Sequence, residues 1–241
     1  MPLMLLLHGT TDSAEGIEAY VRMKPVADAQ GFFLLRPSGL PNLYGATSWN
    51  ATDACCNYKS QPPDDSVYLA GLVEHAASAV AVDRARIVVV GHSAGGFMAY
   101  RLACDHADVF AGIASFAGAT FKNAGDCSPS APVHVLEIHG DSDEVVGYRG
   151  GSFGLYSSFP GAEQSVATWA NYNGCAAERS AGAERDLLST SGMDTDTGAY
   201  AQCAPGGAAE LWKMRGAKHI PTLSSSFGSQ IAEWLLARPK P

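Results

Sequence analysis

Four β-branched residues in a row, Ile87-Val88-Val89-Val90, run directly into Gly91-His92-Ser93-Ala94-Gly95-Gly96, and this junction leaves the chain few folds to choose from. An unbroken apolar run of that kind reads as a strand buried on both faces, the habit of parallel sheets. Residues 94–103 then read as a helix packed back against it. A strand that reverses into a helix so abruptly forces the apex into a sparsely populated backbone conformation, so the positions two removed on either side must be small. Gly91 and Gly95 meet that need. Ser93 at the apex then holds its hydroxyl clear of the sheet, while the N-terminal N–H groups of the new helix point at the same spot. A Gly-x-Ser-x-Gly string is common by chance, but one flanked by a buried strand and a small-residue helix reads as a nucleophile turn.

The rest of the chain repeats the strand–helix rhythm. Leu3–Leu7 is an apolar run closed by His8-Gly9-Thr10-Thr11, and residues 19–30 have helical spacing with Gly31 as a stop. Residues 32–35 read as a strand cut off by Pro37, and residues 37–63 as a long irregular stretch holding Tyr44, Trp49, Cys55-Cys56, Tyr58 and Pro62-Pro63. Loops of that length are usually functional or mobile. Asp64-Asp65-Ser66 caps a helix expected to reach about Val82. Beyond the nucleophile turn, 112–116, 133–138 and 210–214 read as strands, and 164–172 and 224–236 as helices. The segment between Cys175 and Cys203 looks least structured. Alternation of this sort predicts an α/β protein with a mostly parallel, doubly wound sheet. There is no internal repeat and no sign of a second domain, so residues 1–241 are expected to form a single catalytic domain.

Composition narrows the function classes. A net charge of −8 without a Lys/Arg cluster argues against nucleic acid or an anionic membrane surface as partner. No apolar run approaches a membrane span. The six cysteines lie mostly in polar loops, which are poor places for free thiols and good places for staples, so an exported, disulfide-bonded protein is expected. Cys175 with Cys203 is the favoured pair; Cys55 or Cys56 with Cys104 or Cys127 stays open. The first seven residues lack a basic start and lead into a turn, so they read as a strand, and any export signal would lie outside this sequence. Cys-x-x-Cys spacing is absent, Asp194-Thr195-Asp196 reads as a solvated loop rather than a calcium site, and neither a metal nor a cofactor is expected.

A serine nucleophile needs a base, and histidine is the side chain suited to shuttling a proton at neutral pH. Of seven histidines, His75 and His106 fall in helical patterns and His134 in a strand, while His8 and His139 precede glycines in strand-end turns, where structural hydrogen bonding is expected. His92 lies inside the nucleophile turn, its side chain expected to face away from Ser93. His219 alone follows the last strand in a loop, which agrees with the order nucleophile, acid, histidine. The acid belongs after the strand at 133–138, where Asp141, Asp143 and Glu144 qualify by position and Asp143 is preferred. Two backbone donors must meet the negative charge that develops on an acyl oxygen. The N–H of Ala94 is one; the other is expected from the turn after His8-Gly9, with Thr10 favoured over Thr11.

Taken together, Leu7-His8-Gly9, Ser48-Trp49-Asn50 with Cys55-Cys56, Asp64-Asp65, Gly91-His92-Ser93-Ala94-Gly95, the Met98-to-Cys104 helix, Ile138-His139-Gly140-x-x-Asp143, Asn173-Gly174-Cys175 and the loop from Gly216 to His219 resemble the α/β-hydrolases. Within these the likeness is to the exported polyhydroxybutyrate depolymerase/feruloyl esterase group called LpqC-like. The resemblance implies a serine hydrolase of carboxylic esters working through an acyl-enzyme, with Ser93, Asp143 and His219 as triad, and an ester or polyester as substrate. It has two departures. Members of the group usually carry strands ahead of the one ending in His-Gly, whereas here that strand comes first, which would leave 32–35 at a sheet edge. Where relatives commonly show His-x-Trp-Pro, this chain has His219-Ile220-Pro221, without the aromatic wall beside the leaving group.

Trp49 is the candidate aromatic contact for the substrate, with ordinary loop packing as its alternative. A short-chain acyl esterase of the acetyl xylan esterase type, or a non-catalytic binding protein on the same fold, are the competing functional classes. Retention of nucleophile, acid, base and glycine turn speaks against the second. Oligomeric state has no signature in the sequence.

Overall fold

The computed structural model describes residues 1–41, 45–56, 64–154 and 157–241. Tyr44, Tyr58 and Pro62-Pro63 lie outside the described residues. In chain order the elements are β1 (Leu3–Leu7), α1 (Ala14–Val21), α2 (Met23–Gln30), β2 (Phe33–Leu35), α3 (Asp65–Ala79), β3 (Ile87–His92), α4 (Ala94–Asp105), β4 (Gly112–Phe116), β5 (His134–Gly140), β6 (Gly150–Ser152), β7 (Ser158–Pro160), α5 (Ala162–Tyr172), β8 (Arg179–Ala181), β9 (Thr195–Tyr200), β10 (Ala208–Met214) and α6 (Phe227–Leu236). Among the described residues the main sheet has eight strands in the order β2-β1-β3-β4-β5-β10-β9-β8. It is parallel from β2 through β10 and turns antiparallel at β9 and β8.

The unbroken apolar strands are explained by the two cores they separate. Leu3, Leu5, Leu7, Ile87 and Val89 pack with α3, α4 and α5 on one face, while Met4, Leu6, Val88 and Val90 pack with α1, α2 and α6 on the other. Every residue of β1 and β3 is therefore buried, as the period of two requires when both faces are covered. Among the described residues β2 stands at the sheet edge, paired to β1, and an apolar groove of about 510 Å³ runs between it and α3.

Three segments differ from expectation. The helix expected over 19–30 begins earlier, at a Ser13 cap whose hydroxyl accepts from Gly16 N–H, and breaks at Arg22, which adopts the left-handed region at φ 57°. Residues 175–203 are not loop throughout: β8 and β9 extend the sheet, and Asp194 is a buried organiser rather than a solvated residue. Its carboxylate accepts from the N–H groups of Leu187 and Leu188 and from the hydroxyls of Thr190 and Thr195. The third difference is a two-stranded ribbon, β6 with β7, between the loop after β5 and α5.

The six cysteines form three disulfides. Cys175 pairs with Cys203 as expected, but Cys55 pairs with its neighbour Cys56, which leaves Cys104 to Cys127. Neither arrangement left open for Cys55 and Cys56 is the one adopted, because the loop brings the adjacent side chains together. Cys175–Cys203 spans a separation of 28 residues, and closing a loop of that length in the unfolded chain stabilises the fold by roughly 3–4 kcal/mol. The double substitution Cys175→Ser/Cys203→Ser is expected to lower urea-unfolding stability by about that amount. A loss below about 1 kcal/mol would mean the closed loop restrains the unfolded chain little. No helix among the described residues is long and apolar enough to cross a membrane.

Candidate active site

β3 delivers Ser93 at φ 54° and ψ −119°, a conformation that a non-glycine residue holds only when its surroundings over-determine it. Here they do. Ser93 N–H donates to Phe116 O on β4 at 2.8 Å, and Ser93 O accepts from Gly96 N–H at 2.8 Å and Phe97 N–H at 3.1 Å. The flanking glycines are required by space. A Cβ on Gly91 would stand 2.0 Å from Gly95 O, and one on Gly95 would stand 2.3 Å from Leu7 O.

Ser93 Oγ lies 3.0 Å from His219 Nε2, and His219 Nδ1 lies 2.7 Å from Asp143 Oδ2. The three side chains come from the loops after β3, β5 and β10, neighbouring regions at the carboxyl ends of parallel strands. Asp143 is buried, and its Oδ1 accepts from the N–H groups of Val145 and Val146 at 2.8 and 2.9 Å. Burial alone would raise its pKa. His139, His219 and the Val145 N–H outweigh burial and hold the carboxyl well below the usual carboxylate range. Asp141 instead accepts from Gly216 N–H at 2.7 Å, tying the loop after β5 to the one after β10, while Glu144 is exposed.

The turn after β1 closes the other side. His8 Nε2 accepts from Gly39 N–H at 2.9 Å, its Nδ1 contacts Gly9 O at 2.7 Å, and its carbonyl accepts from Trp49 Nε1–H at 2.8 Å. A Cβ on Gly9 would stand 3.3 Å from the Ser93 Cβ, so glycine lets this turn approach the serine. Thr11 N–H is engaged by Thr47 O at 2.9 Å, whereas the N–H groups of Thr10 and Ala94 have no hydrogen-bond partner among the described residues. The two amides expected to meet an acyl oxygen are thus the unengaged ones. Thr10 lines the same cleft as Ser93.

That cleft, about 670 Å³, is walled by Tyr20, Val145, Phe153, Ile220 and the Cys55–Cys56 disulfide as well as by Ser93 and His219. Trp49 is not part of it. Only 1% exposed, with its ring against His8 and its N–H on the His8 carbonyl, Trp49 braces the β1 turn, which corrects its expected role as a substrate contact. Its indole found an acceptor inside the fold, and the apolar wall falls to residues with no distinguishing spacing in the sequence. Among the described residues no group of three or more His, Cys, Asp or Glu is placed to hold a metal ion.

His92 lines this cleft too. It turns toward the base: its Nε2 lies 3.1 Å from His219 O, and its ring packs against Tyr20, Phe116 and His219. A carbonyl can only accept, so the hydrogen sits on Nε2. Burial, then the neighbouring His219, pushes its pKa down to about 4 from 6.5. The unfolded chain therefore binds a proton at a pH where the folded one does not. The stability contribution is intact above 6.5 and is lost as pH falls toward about 4, a change of up to about 3 kcal/mol. Thermal melts of His92→Gln, which can still donate to the carbonyl, should show a flatter decline over that window than wild type.

Comparison with known proteins finds an esterase family and esterase relatives. The family described as Esterase PHB depolymerase matches residues 1–191. Feruloyl esterase B of Piromyces equi is 30% identical over 184 residues, covering 73% of this chain and 33% of that protein. Poly(3-hydroxyalkanoate) depolymerase C of Paucimonas lemoignei is 26% identical over 175 residues, covering 70% of this chain and 39% of that protein. The chain thus spans well under half the length of either. The solved acetyl xylan esterase from Aspergillus awamori has the same fold, with a TM-score of 0.65 at 15% identity over 97% of this chain and 88% of that one.

Proposed function

The chain belongs to the esterase PHB depolymerase family, and from that premise we propose that it hydrolyses carboxylic esters through a serine acyl-enzyme. The observation that carries this reading is the continuous contact from Ser93 Oγ to His219 Nε2 at 3.0 Å and from His219 Nδ1 to Asp143 at 2.7 Å. In the first half-reaction Ser93 attacks the acyl carbon while His219 Nε2 takes the hydroxyl proton. Asp143 remains ionised and stabilises the imidazolium. The carbonyl oxygen becomes an oxyanion facing the N–H groups of Thr10 and Ala94, donors already free and fixed before substrate arrives. Collapse of the tetrahedral intermediate expels the alcohol, which takes its proton from His219. Water, deprotonated by the same nitrogen, then releases the acid and restores Ser93.

The names of the relatives direct the substrate reading toward feruloyl and hydroxyalkanoate esters. A cleft with an apolar rim at Val145, Phe153 and Ile220 suits an acyl group with a carbon skeleton larger than acetate. We place the protein outside the reducing cytosol, a location supported by its three disulfides.

A fluorophosphonate probe tests the chemistry. One equivalent should attach, and digestion should place it on the peptide containing Ser93. Failure of the wild type to label, or equal labelling of Ser93→Ala, overturns the proposal. Rates on p-nitrophenyl butyrate, methyl ferulate and a polyhydroxybutyrate film then rank the substrates, with the first two expected to be cleaved. Turnover of p-nitrophenyl acetate alone would favour a short-chain acyl esterase.

A further inference from the structure

Two buried titratable side chains beneath the site take no part in the proton transfers above. Glu137 and His139 stand on β5, 0% and 1% exposed, and His139 Nδ1 lies 2.7 Å from Glu137 Oε1. The Tyr148 ring meets His139 edge-on at 5.8 Å. On the far side of the imidazole, Nε2 is 2.8 Å from Val146 O and 3.4 Å from Asp143 Oδ2.

Those last two contacts decide the state of the ring. Val146 O can only accept, and Asp143 is an ionised carboxylate, so Nε2 must carry hydrogen. Glu137 meets that condition in two pairings with the ring; a third, a carboxylate beside a neutral imidazole, would put the only hydrogen on Nδ1 and leave Nε2 bare against two acceptors. As a carboxylic acid it donates to Nδ1 of a neutral imidazole, and as a carboxylate it accepts from an imidazolium. In both cases the opposite nitrogen is N–H. Val146 N–H in turn donates to Asp143 Oδ1, so His139 Nε2–H, Val146 and Asp143 form a closed ring of contacts. Its remaining member, Asp143 Oδ2, is the oxygen that meets His219.

We propose that His139, backed by Glu137 at its Nδ1, is a positioning residue that holds the Asp143 carboxylate in the orientation His219 requires. This rests on the reading of Ser93, His219 and Asp143 as the catalytic set. His139 touches no reacting atom; it acts through Asp143 alone.

Histidine-selective ¹⁵N labelling of the wild type tests the state directly. The His139 Nε2 should resonate as protonated from pH 5 to 9, and an unprotonated Nε2 overturns the proposal without any variant. Kinetics test the consequence. His139→Leu and Glu137→Leu should lower kcat on p-nitrophenyl butyrate about 10–100-fold with KM nearly unchanged, as loss of an outer partner does at other sites. Glu137→Gln should recover most of kcat, because its amide can donate to Nδ1 and keep hydrogen on Nε2. The low-field proton resonance of His219 Nδ1–H should be present in wild type and Glu137→Gln and weakened in both leucine variants. Folded leucine variants that keep wild-type kcat, or a glutamine variant as slow as Glu137→Leu, overturn it. A wild type that neither labels with fluorophosphonate nor turns over ester would instead remove the underlying catalytic reading.

Discussion

Ser93→Ala is expected to lower kcat/KM on p-nitrophenyl butyrate about 10⁶-fold. The loss is chemical rather than structural. Alanine retains the Cβ, so the turn at φ 54° keeps its strain and its bonds to Phe116, Gly96 and Phe97. What remains should be the rate enhancement that Thr10 and Ala94 supply to attack by water, on the order of 10³-fold over the uncatalysed reaction. His219→Ala should cost about as much as Ser93→Ala, and the double variant little more than either, because nucleophile and base act as one unit. Losses that multiply in the double variant would show that the two residues act independently. Ser93→Gly is the instructive companion: equally inactive, but expected to melt higher, since glycine adopts positive φ without strain.

The second large effect falls on folding. Gly95→Ala places a Cβ 2.3 Å from Leu7 O and 2.8 Å from His8 O, and both are backbone atoms of the β1 end. β1 cannot withdraw, because it is paired to β2 on one side and β3 on the other. The helix cannot withdraw either without pulling Ser93 off Phe116 O. A clash with no flexible partner to absorb it is expected to exceed about 4 kcal/mol, enough to leave most of the chain insoluble or unfolded. Gly71→Ala on α3 is the control. A Cβ there meets nothing within 4 Å, so alanine should stabilise by about 0.5–1 kcal/mol in urea unfolding. Should Gly95→Ala fold with wild-type stability, the close approach of β1 to the nucleophile turn is not a requirement of the fold.

Much of this was legible in the residues themselves, and for physical reasons. An unbroken β-branched run has few places to go but the middle of a sheet, and the glycines on either side of Ser93 are demanded by the 2.0 Å and 2.3 Å approaches at Gly91 and Gly95. His219 and Asp143 could be named as candidates because chain order and strand ends limit where a base and an acid can stand, and the fold brings them to 3.0 Å and 2.7 Å contacts in line with Ser93. Other features leave little trace in sequence. Arg22 breaks a helix in the left-handed region with a side chain that does not advertise it. The role of Trp49 turned on whether its N–H found an acceptor within the fold, which depends on a contact 41 residues away. β8 and β9 are short and only half covered, so hydrophobic periodicity is faint there, although the alternating threonines Thr195 and Thr197 were a usable signal. Glu137 has no signature in the sequence, and only the position of His139 between it and Asp143 gives it a task.

The placement of the three candidate catalytic side chains after β3, β5 and β10 has a consequence for the protein's synthesis. Chains emerge from the ribosome N-terminus first, so the strained serine turn and its acid are made well before the imidazole that must activate them. Until β10 slots in beside β5 the nascent polypeptide holds a nucleophile that cannot be deprotonated. On the proposed catalytic reading, the order of the elements along the chain delays activation of Ser93 until the strand that carries its base is in place.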